Sequence, residues 1–118
     1  MDIKIGLEIH IQLKTESKMF CPCKNDYNYE DEANLNICPI CLGYPGTLPS
    51  VNKRALEYAI ILSKALNCKL SQSFQFYRKN YFYPDLPKGY QITQYKIGSI
   101  GYDGYLNLEF KGGKFVRI

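Results

Sequence analysis

The chain has 118 residues, with 15 Lys and Arg against 11 Asp and Glu, so its formal net charge is +4. This length fits one domain, and a content of 46% hydrophobic and 22% charged residues argues against disorder, collagen and coiled coil. The apolar runs fall short of the ~18–20 residues that a membrane helix needs, and the N-terminus lacks the apolar core of a secretory signal. The composition therefore favours a cytoplasmic protein that is not associated with a membrane.

The positive charge is concentrated in the C-terminal part of the chain. Residues 77–118 carry seven Lys and Arg against three Asp and Glu, whereas residues 1–76 are balanced. Seven of the eleven tyrosines lie between Tyr77 and Tyr105. Basic groups interleaved with aromatic rings are typical of sites that bind nucleic acids or nucleotides, but a solvated, tyrosine-rich sheet would have the same composition.

The hydrophobic pattern predicts an α+β fold, mainly antiparallel β-sheet with one helix. Residues 2–14 alternate apolar and polar side chains, which predicts a strand with one buried face. Residues 15–49 show no helical period, and Ser50–Leu66 is predicted to be a helix that is capped by Ser50 or Asn52. Asn67 is the predicted stop. Further strands are predicted within 73–83, over Tyr90–Ile97, over Tyr105–Phe110 and from Phe115, with turns at 102–104 and 111–114.

The chain ends on Val116-Arg117-Ile118, inside the last predicted strand and without a turn or a polar tail. Natural chain termini are usually frayed polar segments. We therefore expect residues 1–118 to be the N-terminal portion of a longer domain that is incomplete at its C-terminal end.

Four of the five cysteines form two close pairs. Cys21-Pro22-Cys23 is followed by Cys38-Pro39-Ile40-Cys41. Two thiolates on each of two tight turns can supply the corners of a tetrahedral, structural zinc site that leaves no open position for a substrate. Disulfides and buried unligated thiols are the alternatives, although disulfides would leave Cys68 over. The spacing predicts a zinc knuckle over residues 21–41, inserted in the sheet.

Two chemically capable side chains, Glu8 and His10, lie two residues apart in the first predicted strand. Residues i and i+2 of a strand share a face about 6.5–7 Å apart, so both side chains could reach one metal ion or phosphate. The alternative is an ordinary solvent-facing surface. The later basic segment strengthens the first interpretation, because Lys79 and Lys88 could neutralise phosphate and Asp85 could hold Mg²⁺. The sequence has neither common phosphate-binding loop nor a hydrolase triad motif.

Several stretches of the sequence together resemble one family. They are Gly6–His10, Ser17–Cys23, Cys38–Gly46 and the run Arg78–Ile92, which reads RKNYFYPDLPKGYQI. These stretches look like the B subunit of the glutamyl-tRNA(Gln)/aspartyl-tRNA(Asn) amidotransferase, and the resemblance runs along nearly the whole chain. A related archaeal protein, the E subunit, shares the first stretch but is not expected to carry the last one, so the B subunit is preferred.

The resemblance implies a ligase that depends on ATP and Mg²⁺. Such an enzyme phosphorylates the side-chain carboxylate of Glu or Asp misacylated on tRNA. Ammonia, released from glutamine by the A subunit, then displaces the phosphate to form Gln-tRNA(Gln) or Asn-tRNA(Asn). The A and C subunits and the misacylated tRNA are the implied partners. The implied fold is part of a glutamine-synthetase-like catalytic domain, and this chain alone is expected to be inactive.

The resemblance also implies roles for individual residues. By their positions, Glu8 and His10 match the magnesium and nucleotide site of the family. Lys79 and Lys88 match lysines at its activation site and ammonia route. The competing hypothesis is a zinc-binding, nucleic-acid-binding module without catalysis. The implied catalytic residues are Glu8, His10, Lys79 and Lys88; the cofactor-binding residues are Glu8, His10, Tyr81 and Asp85; the zinc ligands are Cys21, Cys23, Cys38 and Cys41.

Overall fold

A computed structural model describes residues 5–26, 32–95, 98–108 and 114–118 of the chain. Within these ranges the structure has antiparallel strands and few helices, as the sequence predicts. The helices are α1 (Pro39–Leu42) and α2 (Lys53–Ala65), and the strands are β1 (Lys69–Leu70), β2 (Tyr77–Asn80), β3 (Tyr90–Thr93), β4 (Gly101–Tyr102), β5 (Tyr105–Leu108) and β6 (Lys114–Arg117).

The strands of the described part form three two-stranded antiparallel sheets, and not one continuous sheet. β1 pairs with β4, β2 with β3, and β5 with β6. In the second pair, Tyr77 lies opposite Thr93 and Asn80 lies opposite Tyr90, so this pair is a hairpin whose connection includes Pro84 and Pro87. This register places the basic segment on one hairpin.

Helix α2 begins at a side-chain cap. The Oδ1 of Asn52 accepts hydrogen bonds from the N–H groups of Arg54, at 2.9 Å, and Ala55, at 3.2 Å. Of the two predicted caps, the structure therefore uses Asn52. The helix is followed by Asn67 in a left-handed conformation, with φ of 54°, which ends it where the sequence predicts. Ala55 faces inward and is buried.

The first predicted strand is wrong for the part of it that the structure describes. Residues 5–14 have no strand pairing, and their apolar face is exposed: Ile5 is 91% exposed, Leu7 85%, Ile9 70% and Ile11 61%. A strand requires hydrogen bonds to a neighbour, and within the described ranges no strand pairs with this segment. Alternation fixes which side chains share a face, but it does not supply the neighbouring strand.

The predicted helix and the strands β2, β3 and β5 are confirmed with shorter bounds, β6 begins one residue before its predicted start, and β1 and β4 were not predicted. β3 occupies the first half of the predicted Tyr90–Ile97 strand, and β5 and β6 form the predicted C-terminal pair. Asp103, with φ of 52°, lies in the predicted turn between β4 and β5. Helix α1 was not predicted, because four residues are too few to show a helical period. Residues 111–113 of the predicted tight turn lie outside the described residues.

The chain is expanded for its length. Its radius of gyration is 17.5 Å, against about 13.5 Å for a compact domain of this size. Among the described residues, the buried apolar side chains are those of Cys21 and Ala55. No helix in the same ranges combines the length and the apolar composition needed to cross a membrane.

Candidate metal centre and basic hairpin

The first cysteine pair lies at the tip of a small backbone loop. Ser17 and Lys24 form an isolated antiparallel bridge on either side of it. The N–H of Lys18 donates to the carbonyl of Cys23 at 2.9 Å, and the N–H of Asn25 donates to the carbonyl of Glu16 at 2.8 Å. These hydrogen bonds close the loop, so the sulfurs of Cys21 and Cys23 project from one tight turn.

The second cysteine pair is organised by helix α1. Cys38 is its N-cap, and Pro39 fills the first helical position, where a missing N–H costs nothing. Gly43 ends the helix with φ of 68°, and its N–H donates to the carbonyl of Ile40 at 3.1 Å. Cys41 therefore lies on the single helical turn, on the same side as the sulfur of Cys38.

The two pairs bring four sulfurs together, all within 4.8 Å of one another. The Sγ of Cys41 lies 3.3 Å from that of Cys21, 3.8 Å from that of Cys38 and 3.9 Å from that of Cys23. Sulfurs at ~2.3 Å from a shared zinc ion in tetrahedral geometry are about 3.8 Å apart. All five cysteines are free thiols, which contradicts the disulfide alternative. The four sulfurs could therefore bind a metal ion that prefers thiolate.

Within the cysteine cluster, the pKa values of Cys21 and Cys41 shift in opposite directions. Burial, with a hydrogen bond to Cys41, raises the pKa of the Cys21 thiol to about 12. Burial acts the same way on Cys41, but hydrogen bonds with Cys21, Cys38 and Cys23 outweigh it and lower the pKa of the Cys41 thiol to about 7. The ordinary pKa of a cysteine thiol is 9.0. Ionisation of Cys41 therefore adds stability to the metal-free fold as pH rises from about 7 to 9. The raised pKa of Cys21 lowers the stability of that fold above pH 9.

Glu8 and His10 lie side by side, as the alternation predicts, but on a segment without strand partners. The Nε2 of His10 is 3.5 Å from the Oε1 of Glu8, and both side chains are exposed. In the part of the chain that the structure describes, no hydrogen bond or ion pair joins either one to Lys79, Lys88 or Asp85. Their joint role in one site therefore stays a prediction.

The other predicted site residues lie on the basic hairpin, which we define as residues 77–93. Lys79 is on β2, with its Nζ 5.5 Å from the ring centre of Tyr81. Asp85 and Lys88 lie in the connection between the strands, which is tightened by a 3.0 Å hydrogen bond from the N–H of Gly89 to the carbonyl of Leu86. All four predicted site residues of the hairpin are exposed, so they are accessible to a ligand.

The structure adds Arg78 and Tyr90, for which the sequence pattern predicts no role. The guanidinium carbon of Arg78 lies 4.7 Å from the ring centre of Tyr90, and the Nζ of Lys88 lies 5.2 Å from it. Arg78 also donates to the carbonyl of Thr47 at 3.1 Å. A Cβ added to Gly43 would lie 2.8 Å from the hydroxyl of Tyr90. These contacts pack the basic hairpin against the segment that follows the second cysteine pair.

A four-cysteine cluster packed against a basic, tyrosine-rich hairpin defines the chain as an α+β unit in which four cysteines that could bind a metal ion lie beside an exposed cationic surface. The sequence comparisons give this unit a family. The family described as the GatB/GatE catalytic domain matches residues 3–118, and the chain belongs to it.

Curated relatives of the chain carry one name. The chain is 54% identical over 117 residues to the B subunit of the aspartyl/glutamyl-tRNA(Asn/Gln) amidotransferase of Methanoregula boonei, a match that covers 99% of this chain and 24% of that protein. It is 53% identical over 114 residues to the B subunit of the Fusobacterium nucleatum enzyme, with 97% and 23% covered. For Methanospirillum hungatei the identity is 60% over 91 residues, with 77% and 19% covered. The chain thus spans about a quarter of the length of the curated relatives it matches.

Proposed function

We propose that the chain is part of one subunit of an ATP-dependent tRNA amidotransferase, which is a carbon–nitrogen ligase that uses glutamine as its nitrogen donor. The observation that carries this proposal is the family match over residues 3–118, together with relatives at 53–54% identity that are named as the B subunit of such an enzyme. The reaction converts Glu-tRNA(Gln) or Asp-tRNA(Asn) into Gln-tRNA(Gln) or Asn-tRNA(Asn). The isolated chain is inactive in this proposal.

The proposed chemistry starts with activation of a carboxylate, because a carboxylate oxygen is a poor leaving group. The γ-phosphoryl group of ATP is transferred to the side-chain carboxylate, and ammonia then attacks the acyl phosphate and expels phosphate. Lys79 and Lys88 offset the negative charge of the phosphoryl group during transfer. Their exposure and their position on one hairpin support this assignment.

The nucleotide and magnesium part of the proposed site draws on both segments. Glu8 and His10 would hold Mg²⁺, whose charge would neutralise phosphate oxygens, and Tyr81 and Asp85 would contact the nucleotide. The 3.5 Å contact between His10 and Glu8 supports their acting together. A carboxylate and an imidazole on one side of an extended segment are suitable ligands or orienting groups for a metal-bound nucleotide.

The four-cysteine cluster has a structural role in this proposal and holds zinc. Four sulfur donors close the coordination sphere of Zn²⁺ and leave no position for a substrate. We assign residues 21–41 as a zinc knuckle inserted in a glutamine-synthetase-like catalytic domain, of which residues 1–118 form the N-terminal portion. The expanded shape and the exposed apolar face of residues 5–14 support the view that more of the domain packs here.

The proposed partners follow from the reaction. The A subunit of the enzyme supplies ammonia, the C subunit completes the complex, and the misacylated tRNA is the substrate. All three meet in the cytoplasm, where aminoacyl-tRNA is made and used.

A chimeric enzyme tests this function. The chain replaces the matching segment in the B subunit of the Methanoregula boonei enzyme, and the chimera is produced with the other subunits of that enzyme. We expect ATP-dependent conversion of Glu-tRNA(Gln) or Asp-tRNA(Asn). In the same chimera, Glu8→Gln and Lys79→Ala each lower the rate by about 100-fold or more, because each removes charge stabilisation of the transferring phosphoryl group.

Matched controls separate site effects from effects on folding. Glu16→Gln and Lys64→Ala change the same residue types at exposed positions with no assigned role, and we expect both to retain the parent rate within about threefold. An assembled chimera without amidation would contradict the proposal. Tight, salt-dependent RNA binding by the isolated chain would favour the nucleic-acid-binding module instead.

A further inference from the structure

Lys18 brings a positive charge to the four-cysteine cluster. Its Nζ lies 3.7 Å from the Sγ of Cys41 and donates a hydrogen bond to the carbonyl oxygen of Asn36. Both of these partners belong to the segment with the second cysteine pair, whereas Lys18 itself precedes the first pair. The side chain therefore spans the two halves of the cluster.

The backbone of Lys18 is fixed on the opposite half. Its N–H donates to the carbonyl of Cys23 at 2.9 Å, and its own carbonyl accepts a hydrogen bond from the Nδ2 of Asn52 at 3.3 Å. Neither the carbonyl of Asn36 nor these backbone groups are metal ligands, so the contacts that hold Lys18 beside Cys41 do not require a metal ion.

The charge of the cluster explains why a cation is needed there. Four thiolates around a divalent ion leave two uncompensated negative charges. Cys21 is buried, so water screens part of this charge poorly. A charge-assisted hydrogen bond from an ammonium group to a thiolate offsets it. Lys24, the next cation along the loop, forms a 2.6 Å ion pair with Asp26.

We propose that Lys18 is the counter-cation of the metal centre: it pre-organises the two cysteine pairs and stabilises the metal-bound thiolates through Cys41. This inference rests on the proposed zinc centre. It predicts that the affinity for the metal depends on Lys18, although Lys18 is not a ligand. The expected effect has the size usual for groups that hydrogen-bond to metal ligands.

Chelator competition on the intact zinc-loaded protein tests the proposal. Lys18→Met keeps the apolar stem and removes the charge, and we expect its zinc affinity to fall about 10- to 100-fold. Lys18→Arg keeps the charge and is expected to restore most of the affinity. Lys14→Met is the matched control, because Lys14 is exposed on the same segment and lies outside the cluster, and its affinity stays at the parent value.

A spectroscopic readout separates the electrostatic role from a general loss of structure. With Co²⁺ in place of zinc, removal of the hydrogen bond to Cys41 shifts the sulfur-to-cobalt charge-transfer absorption of Lys18→Met to lower energy. If Lys18→Met does not fold, Lys18→Gln decides, because its amide is a hydrogen-bond donor that carries no charge.

The outcomes are distinct. Equal zinc affinity and an unchanged cobalt spectrum in the uncharged variants would overturn the role of Lys18 and leave the zinc centre in place. Failure of the unsubstituted protein to bind zinc would overturn both.

Discussion

A single amide side chain, that of Asn52, connects the loop that carries the first cysteine pair to helix α2. Its Oδ1 caps α2, while its Nδ2 donates to the carbonyl and the hydroxyl of Ser17, each at 2.9 Å. An amide side chain can accept at one end and donate at the other. Asn52 therefore has two separate roles here, one of which is the helix cap.

Two substitutions at this position separate the two roles of Asn52. Asn52→Ala removes the cap and the donor, and we expect it to lower the free energy of unfolding by about 2 kcal/mol. Asn52→Asp retains the acceptor for the cap, and we expect a loss of about 1 kcal/mol. Denaturant unfolding of the protein measures both.

Ser50→Ala is the control for this pair. Ser50 is exposed, and its hydroxyl is not needed for the cap, so the change is expected to stay within about 0.5 kcal/mol. Equal stability of Asn52→Asp and the parent protein would show that the contact with Ser17 contributes nothing.

At the level of elements, the turn after the second cysteine pair supports the basic hairpin. Gly43 combines a left-handed conformation with close packing, since an added Cβ would lie 3.3 Å from the Cβ of Lys88 as well as against Tyr90. Arg78 and Lys88 both lie against the ring of Tyr90. The position of Lys88 therefore depends on how the cysteine turn is folded.

Gly43→Ala tests this packing. We expect it to destabilise the protein by about 2–3 kcal/mol, from the strained backbone and from displacement of Tyr90. Gly46→Ala is a control that the chain itself supplies: Gly46 has φ of 79°, and an added Cβ meets nothing within 4 Å. Gly46→Ala should lower the free energy of unfolding only by the backbone strain of a left-handed conformation, about 1–2 kcal/mol. Thermal unfolding compares the stabilities of the two variants. If Gly43→Ala loses no more stability than Gly46→Ala, the turn at Gly43 does not support the basic hairpin.

For the whole molecule, the main feature is apolar surface without a covering layer. The alternating face of residues 5–11 is exposed, and the described part of the chain encloses little apolar volume. An extended apolar segment with free backbone groups can pair with another copy of itself. The isolated chain should therefore self-associate at micromolar concentration.

Sedimentation of a double variant measures this tendency. We expect the double variant Leu7→Lys with Ile9→Lys to raise the dissociation constant of self-association about tenfold, because repulsion between the added charges opposes pairing. Leu35→Lys with Leu48→Lys is the control, since Leu35 and Leu48 are exposed to a similar degree but do not form one face. Equal association of both double variants would exclude the alternating face as the contact.

The parts of the fold that were predicted correctly depend on local signals. Asn52 and Asn67 mark the ends of α2, and the cysteine spacing is enough to indicate the cluster. The contact of Tyr90 with Gly43 joins positions far apart in the chain, and no local pattern records it. The predicted first strand failed in its described part, residues 5–14, for a related reason, because pairing depends on a neighbour that alternation cannot supply. The proposed site needs local signals and also a contact between distant positions, which are Glu8 on the N-terminal segment and Lys79 on the basic hairpin. Their joint role therefore stays a prediction.

The position of Asn52 has a thermodynamic consequence. In the proposed zinc centre, the metal ion would stabilise the loop that this side chain holds, and the same side chain starts α2, so metal binding and helix formation would be coupled. Coupling of this kind is reciprocal: whatever the metal adds to the stability of the helix, the helix adds to the affinity for the metal. Helix α2 contains none of the four cysteines, yet its own propensity to form would be one of the determinants of how tightly the proposed zinc ion is held.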